Sequence, residues 1–189
     1  MKYAKILGLL AVAAAALMAF AGTASATITV NGSAYSGHIE ATSTNTELDG
    51  TVDVKCAKSI VTGNVSNGAT TSAVTTLDFT ECGSDTVEVT RGGSLRVDSS
   101  GTVYSEDAEV TVTVHRSIFG FPVTTHCEYV TAKNPGTDIG TLTEHVSPPQ
   151  VHLIGANIPQ TETDSGCGAN AQWTGTYTFT TPTGAITVD

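Results

Sequence analysis

Positive charge is scarce in this chain, whose 189 residues hold 8 Lys and Arg against 18 Asp and Glu, with charged residues making up only 14%. Nucleic-acid binding depends on cationic side chains that displace phosphate counterions, so a chain this acidic is not built to hold a phosphate backbone. The same repulsion disfavours anionic lipid. Catalytic signatures are missing as well. There is no Gly-x-Ser-x-Gly elbow, no Ser-x-x-Lys pair, no Cys-x-x-Cys and no His-Glu-x-x-His. The 5 histidines never fall at a spacing that sets two on one helical face. Glu106, Asp107 and Glu109 form the densest acidic cluster but lack the alternating Asp pattern of a calcium loop. No cofactor or metal is expected.

Long hydrophobic runs are also absent, with one exception. Residues 6–20 are uncharged and dominated by Ala and Leu, Lys2 and Lys5 precede them, and Ala24-Ser25-Ala26 follows. A basic start, a short apolar stretch and a small-residue site make a secretory signal. The run is shorter than the roughly 20 residues a membrane-crossing helix needs. Cleavage after Ala26 is expected to leave one secreted domain, residues 27–189, with no membrane span. Lys2 and Lys5 leave with the signal while all 18 acids stay, so the formal charge moves from −10 to −12.

Cysteine is few but even in number. Cys56, Cys82, Cys127 and Cys167 all lie in the mature part, and an oxidising compartment favours two disulfides over free thiols. Three pairings are open, and closure of short loops favours Cys56 with Cys82 and Cys127 with Cys167.

What the chain does have is Thr and Val in alternation, the period of a strand with one face buried. In residues 51–56, Val52, Val54 and Cys56 share a face. In 109–115 the inward set is Val110, Val112 and Val114. In 173–180 it is Trp173, Tyr177 and Phe179, with Thr174, Thr176, Thr178 and Thr180 outside. Shorter strand candidates occupy 27–30, 59–65, 74–80, 86–90, 94–97, 123–130, 140–143, 151–154 and 185–188. Turn residues such as Asn67-Gly68, Arg91-Gly92-Gly93 and Asn134-Pro135-Gly136 separate them. Many short strands with frequent turns predict an all-β fold, an antiparallel β-sandwich of immunoglobulin-like or jelly-roll-like kind.

Few residues invite a chemical reading. Thr124-Thr125-His126-Cys127 and Asp164-Ser165-Gly166 resemble the histidine and serine motifs of chymotrypsin-like proteases. Only 39 residues separate His126 from Ser165, too few for a site shared by two barrels, and Cys167 stands where that serine motif continues with Gly. Trp173, in phase with Tyr177 and Phe179, either fills the core or offers a platform for a sugar ring, and its phase favours the core. Phe119-Gly120-Phe121-Pro122 describes a turn whose two rings are either buried or presented. Phe119, Phe121 and Trp173 are therefore the candidate ligand-binding residues.

The order of several segments carries a resemblance. Ala41-Thr42-Ser43-Thr44-Asn45-Thr46, Phe119-Gly120-Phe121-Pro122-Val123-Thr124-Thr125-His126-Cys127, Gly166-Cys167-Gly168 and Ala171-Gln172-Trp173-Thr174-Gly175, behind the signal, look like a group of uncharacterised secreted bacterial β-rich proteins. In composition the chain also resembles the acidic, two-disulfide sandwich apoproteins that carry enediyne antibiotics. Neither likeness implies an activity or a catalytic residue. The reading that follows is a non-enzymatic protein, secreted or held at the cell surface, whose partner is an extracellular protein, a glycan or a small molecule. A carbohydrate- or small-molecule-binding module is the alternative, and a secreted hydrolase the third.

Overall fold

The computed structural model describes residues 26–51, 53–162 and 166–189. The signal-like segment up to residue 25, Val52, and the Asp164 and Ser165 of the protease-like motif lie outside the described residues. All regular structure among the described residues is strand. The first eight strands are β1 (Ile28–Val30), β2 (Ser33–Ala34), β3 (Gly37–Ser43), β4 (Thr46–Asp49), β5 (Val54–Cys56), β6 (Lys58–Val65), β7 (Thr71–Thr80) and β8 (Thr86–Arg91). The rest are β9 (Ser94–Val97), β10 (Thr102–Glu106), β11 (Glu109–Ile118), β12 (Phe121–Val130), β13 (Thr137–Thr143), β14 (Gln150–Glu162), β15 (Asn170–Thr181) and β16 (Ile186–Val188).

The architecture corrects the expected sandwich. Strands β3, β6, β7, β9, β10, β13, β14 and β15 are neighbours in that order, every pairing is antiparallel, and β15 pairs again with β3 through Thr178 opposite Thr42. The sheet closes on itself as an eight-stranded barrel. Alternation with a period of two reports a buried face and is the same for an open sheet and a closed one. Which it becomes depends on pairings between distant segments, and here the deciding ones are β14 with β15 and β15 with β3.

β15 does two jobs along its length. Gln172 to Gly175 pair with β4, and Thr178 to Thr181 pair with β3. The change of partner falls at Gly175, which takes φ of +154° and lies so near the chain that a Cβ there would stand 3.1 Å from the Asn45 carbonyl. Beyond that point the sheet runs on into an annex. β4 and β5 extend it on one side, and β12, β11 and β8 extend it from the far end of β14, where Glu128 and Tyr129 pair with Glu162 and Gln160. A small sheet of β16, β1 and β2 packs Ile28, Ile186 and Val188 into the core from another side.

Inward positions follow the alternation. Val54, Val112, Val114 and Tyr177 are buried, as is Trp173, whose ring packs edge-on against Phe79 at 5.7 Å and Tyr177 at 6.0 Å. Outward, Thr176 and Thr180 are exposed and Thr178 is half-buried. The structure pairs Cys56 with Cys82 and Cys127 with Cys167, and among the described residues no cysteine is free. Two disulfides are compatible with an extracellular location. No helix among the described residues is long and apolar enough to cross a membrane.

Candidate functional site

β11 and β12 form a ten-residue ladder from Glu109 opposite Val130 to Ile118 opposite Phe121. A two-residue loop, Phe119-Gly120, joins them with φ of 50° and 86°. Two successive left-handed residues match the right-handed twist of a hairpin, which is why Asn-Gly usually occupies such turns. A phenylalanine in the first position carries a Cβ penalty of roughly 1 to 2 kcal/mol. Its ring does not compensate by packing, because Phe119 is 97% exposed.

The outer half of this hairpin extends past its neighbours. β8 covers β11 only as far as Thr113, and β14 meets β12 only at Glu128 and Tyr129. From Val114 outward the two strands are a ribbon with no third strand on either edge among the described residues. Side-chain phase then decides what the ribbon shows. Val112 and Val114 face the core, so Arg116 and Ile118 continue the same face, and on β12 Cys127 and Tyr129 share theirs with Phe121, Val123 and Thr125. The core-facing side therefore runs on beyond the core. It leaves Ile118 51% and Phe121 73% exposed beside Val123. Four of the six large apolar side chains exposed in the described structure, Ile118, Phe119, Phe121 and Val123, belong to this one tip.

Polar contacts fasten the ribbon at its base. Arg116 donates through one amino group to both carboxylate oxygens of Asp85, at 3.1 and 3.0 Å, and through the other to the Asp53 carbonyl at 3.2 Å. The His115 backbone N–H donates to Asp85 at 2.9 Å. Burial pushes the Asp85 carboxyl up, but these hydrogen bonds and the Arg116 charge outweigh it and hold the group below its usual value. Both acceptors sit within three residues of one disulfide: Asp53 precedes Cys56, and Asp85 follows Cys82, whose carbonyl accepts the Asp85 N–H at 3.3 Å. On the other strand Cys127 ties β12 to Cys167.

The three sequence candidates do not meet in one site. Phe119 and Phe121 are displayed on the tip, whereas Trp173 is core, 8% exposed. His126 lies on the outer face of the hairpin with Nδ1 3.0 Å from the Thr113 hydroxyl. Among the described residues no group of three His, Cys, Asp or Glu side chains gathers as a metal site. A polar groove of about 330 Å³ opens where β15 changes partner, bordered by Asn45, Glu47, His152 and Thr176, with no Phe, Tyr or Trp for a sugar to stack on. Sequence reasoning singled out the Phe-Gly-Phe turn but missed Ile118 and Val123 as its companions. The register that puts them on one face was already written in the two-residue loop. No protein-family model, curated protein or solved structure matches this chain.

Proposed function

We propose that this is a secreted, non-enzymatic interaction protein that works through the uncovered apolar face of the β11–β12 ribbon. The observation that carries the reading is Phe119, a bulky side chain held in a left-handed turn and almost wholly in water. Neither local conformation nor packing rewards it, and strain kept without a structural return marks functional positions. Phe121, Ile118 and Val123 widen it into a contiguous apolar patch of the kind that marks interaction surfaces. The ribbon projects past its neighbouring strands and is uncharged from Ser117 to Thr125, so it suits an apolar cleft or strand edge on another extracellular protein better than a sugar or an ion. The signal-like segment and cleavage after Ala26 supply the location in this reading, and the two disulfides support it.

The test is site-specific photocrosslinking. A benzophenone side chain replaces Phe119 in the protein secreted by its native producer, and adducts are identified by mass spectrometry. A discrete intermolecular adduct that disappears with Phe121→Ser is expected. Exclusively intramolecular products would overturn the reading. An adduct with a second copy of the chain would turn it into self-assembly.

A further inference from the structure

The barrel lumen is not filled. Two apolar cavities of about 60 and 80 Å³ adjoin along it, sharing Ile39, Leu95, Val103, Val151 and Phe179 in their walls. An eight-stranded barrel has an interior just wide enough for side chains to fill or for one small ligand. Protein interiors rarely leave voids larger than a water molecule. Here Ile39, Leu95, Val151 and Phe179 line the lumen yet are only half-buried, so the space they face is accessible.

The wall also has a seam. β7 pairs with β9 only from Thr71 to Ala73, followed by one hydrogen bond from the Val74 N–H to the Gly93 carbonyl at 3.0 Å. Beyond it the first cavity is bounded by the side chains of Val74 and Leu77 and by Gly92. Among the described residues, the two charged side chains in the cavity walls, Glu40 and Arg96, already have partners. Glu40 accepts from the Thr180 hydroxyl at 2.6 Å and has His38 at 4.0 Å. Arg96 donates to Glu106 at 3.2 Å and to the Pro135 carbonyl at 3.0 Å while lying over the Tyr104 ring.

We propose that the lumen is a binding site for a compact, neutral, apolar molecule the size of one aromatic ring, admitted through the seam between β7 and β9. An apolar cavity of about 150 Å³ binds benzene; these two hold about 60 and 80 Å³ and are divided only by side chains that line both, so a ring-sized guest needs those side chains to shift in order to span them. This site is separate from the ribbon and does not depend on its role.

The experiment uses the full secreted chain with both disulfides intact, its Ile, Leu and Val methyls isotope-labelled, titrated with benzene and followed by NMR. The methyls of Leu95, Val103 and Val151 are expected to shift and saturate while those of Ile118 and Val123 stay in place. Val103→Phe, which fills the wall common to both cavities, is expected to abolish the shifts, and Val151→Phe serves if that variant does not fold. Shifts confined to Ile118 and Val123, shifts that never saturate, no shifts at all, or saturable lumen shifts that persist in the filled variant would each overturn the proposal.

Discussion

Arg116 grips both carboxylate oxygens of Asp85 at 3.1 and 3.0 Å, and Asp85 is only 10% exposed. The pair links the root of an otherwise unsupported ribbon to the loop that follows Cys82. An exposed ion pair contributes little, but a largely buried carboxylate with four hydrogen bonds leaves partners stranded when it is changed. Asp85→Asn is expected to cost about 1 to 2 kcal/mol at neutral pH. The pH dependence has a definite sign. Because the folded state holds this carboxyl below its ordinary 3.8, its contribution is complete above that value and fades as the pH falls through the lower, folded one. Denaturation midpoints of the native and Asp85→Asn proteins should therefore converge in acid, and a gap that persists there would show that the charge is not what matters.

The disulfide between Cys56 and Cys82 joins the two segments that supply Arg116 with its acceptors. Replacing both cysteines with Ala should cost roughly 2 to 4 kcal/mol, as loop constraint predicts. Hydrogen exchange should also accelerate across residues 114–125, which lie far from Cys56 in sequence. Unchanged protection of the ribbon would uncouple it from the disulfide.

Phe119 sits where a turn prefers Asn or Gly. Phe119→Asn should raise stability by about 0.5 to 1 kcal/mol, through relief of the left-handed backbone, and should weaken whatever the ribbon binds. Thermal melts paired with the crosslinking assay check both halves. Destabilisation by this substitution would mean that the ring packs on something in the folded chain.

Tyr177 lies in the core, where its hydroxyl donates to Ser59 at 2.7 Å. Burial pushes its ionisation up to about 12, so the folded state keeps a proton that the unfolded chain gives up near 10. Stability attributable to the neutral phenol is full below 10 and falls as the pH rises from there towards 12, by about 3 kcal/mol in all. Tyr177→Phe should cost about 1 kcal/mol at pH 7 from the lost hydrogen bond and then show a flatter alkaline limb. Denaturation curves across that range, with tyrosinate absorbance recorded alongside, decide the matter.

Trp173 bridges barrel and annex, touching Phe79 and Tyr177 edge-on. Trp173→Ala should cost about 3 to 5 kcal/mol, the range of large aromatic deletions from cores. Phe121→Ser on the ribbon should stay within about 0.5 kcal/mol of the native protein. Equal losses at both positions would contradict the division into a packed core and an uncovered face.

Several strands were legible before folding and several were not, for a common reason. β11 and β15 alternate Val or aromatic residues with Thr, and their inward sets, Val110, Val112 and Val114 with Trp173, Tyr177 and Phe179, read directly. β3, β4 and β10 gave no such signal. They bury a hydroxyl next to a single apolar side chain: Ser43, Thr46 and Ser105 are inward beside Ala41, Leu48 and Val103. The Ser105 hydroxyl shares a hydrogen bond with Thr131 at 3.3 Å. A rule that sends Thr and Ser to water cannot see strands that use them inside.

The sequence by itself determined the local matters: strand periodicity, turn chemistry, an even set of cysteines, acidity, and a Phe-Gly-Phe turn between two strands. These depend on composition or on residues a few positions apart. The tertiary structure decided that the sheet closes, that Trp173 is core while Phe119 and Phe121 are not, and that Asp53 and Asp85 converge on Arg116. Each of those depends on contacts between segments distant in the chain, such as Thr42 with Thr178, whose pairing no local pattern of residues encodes.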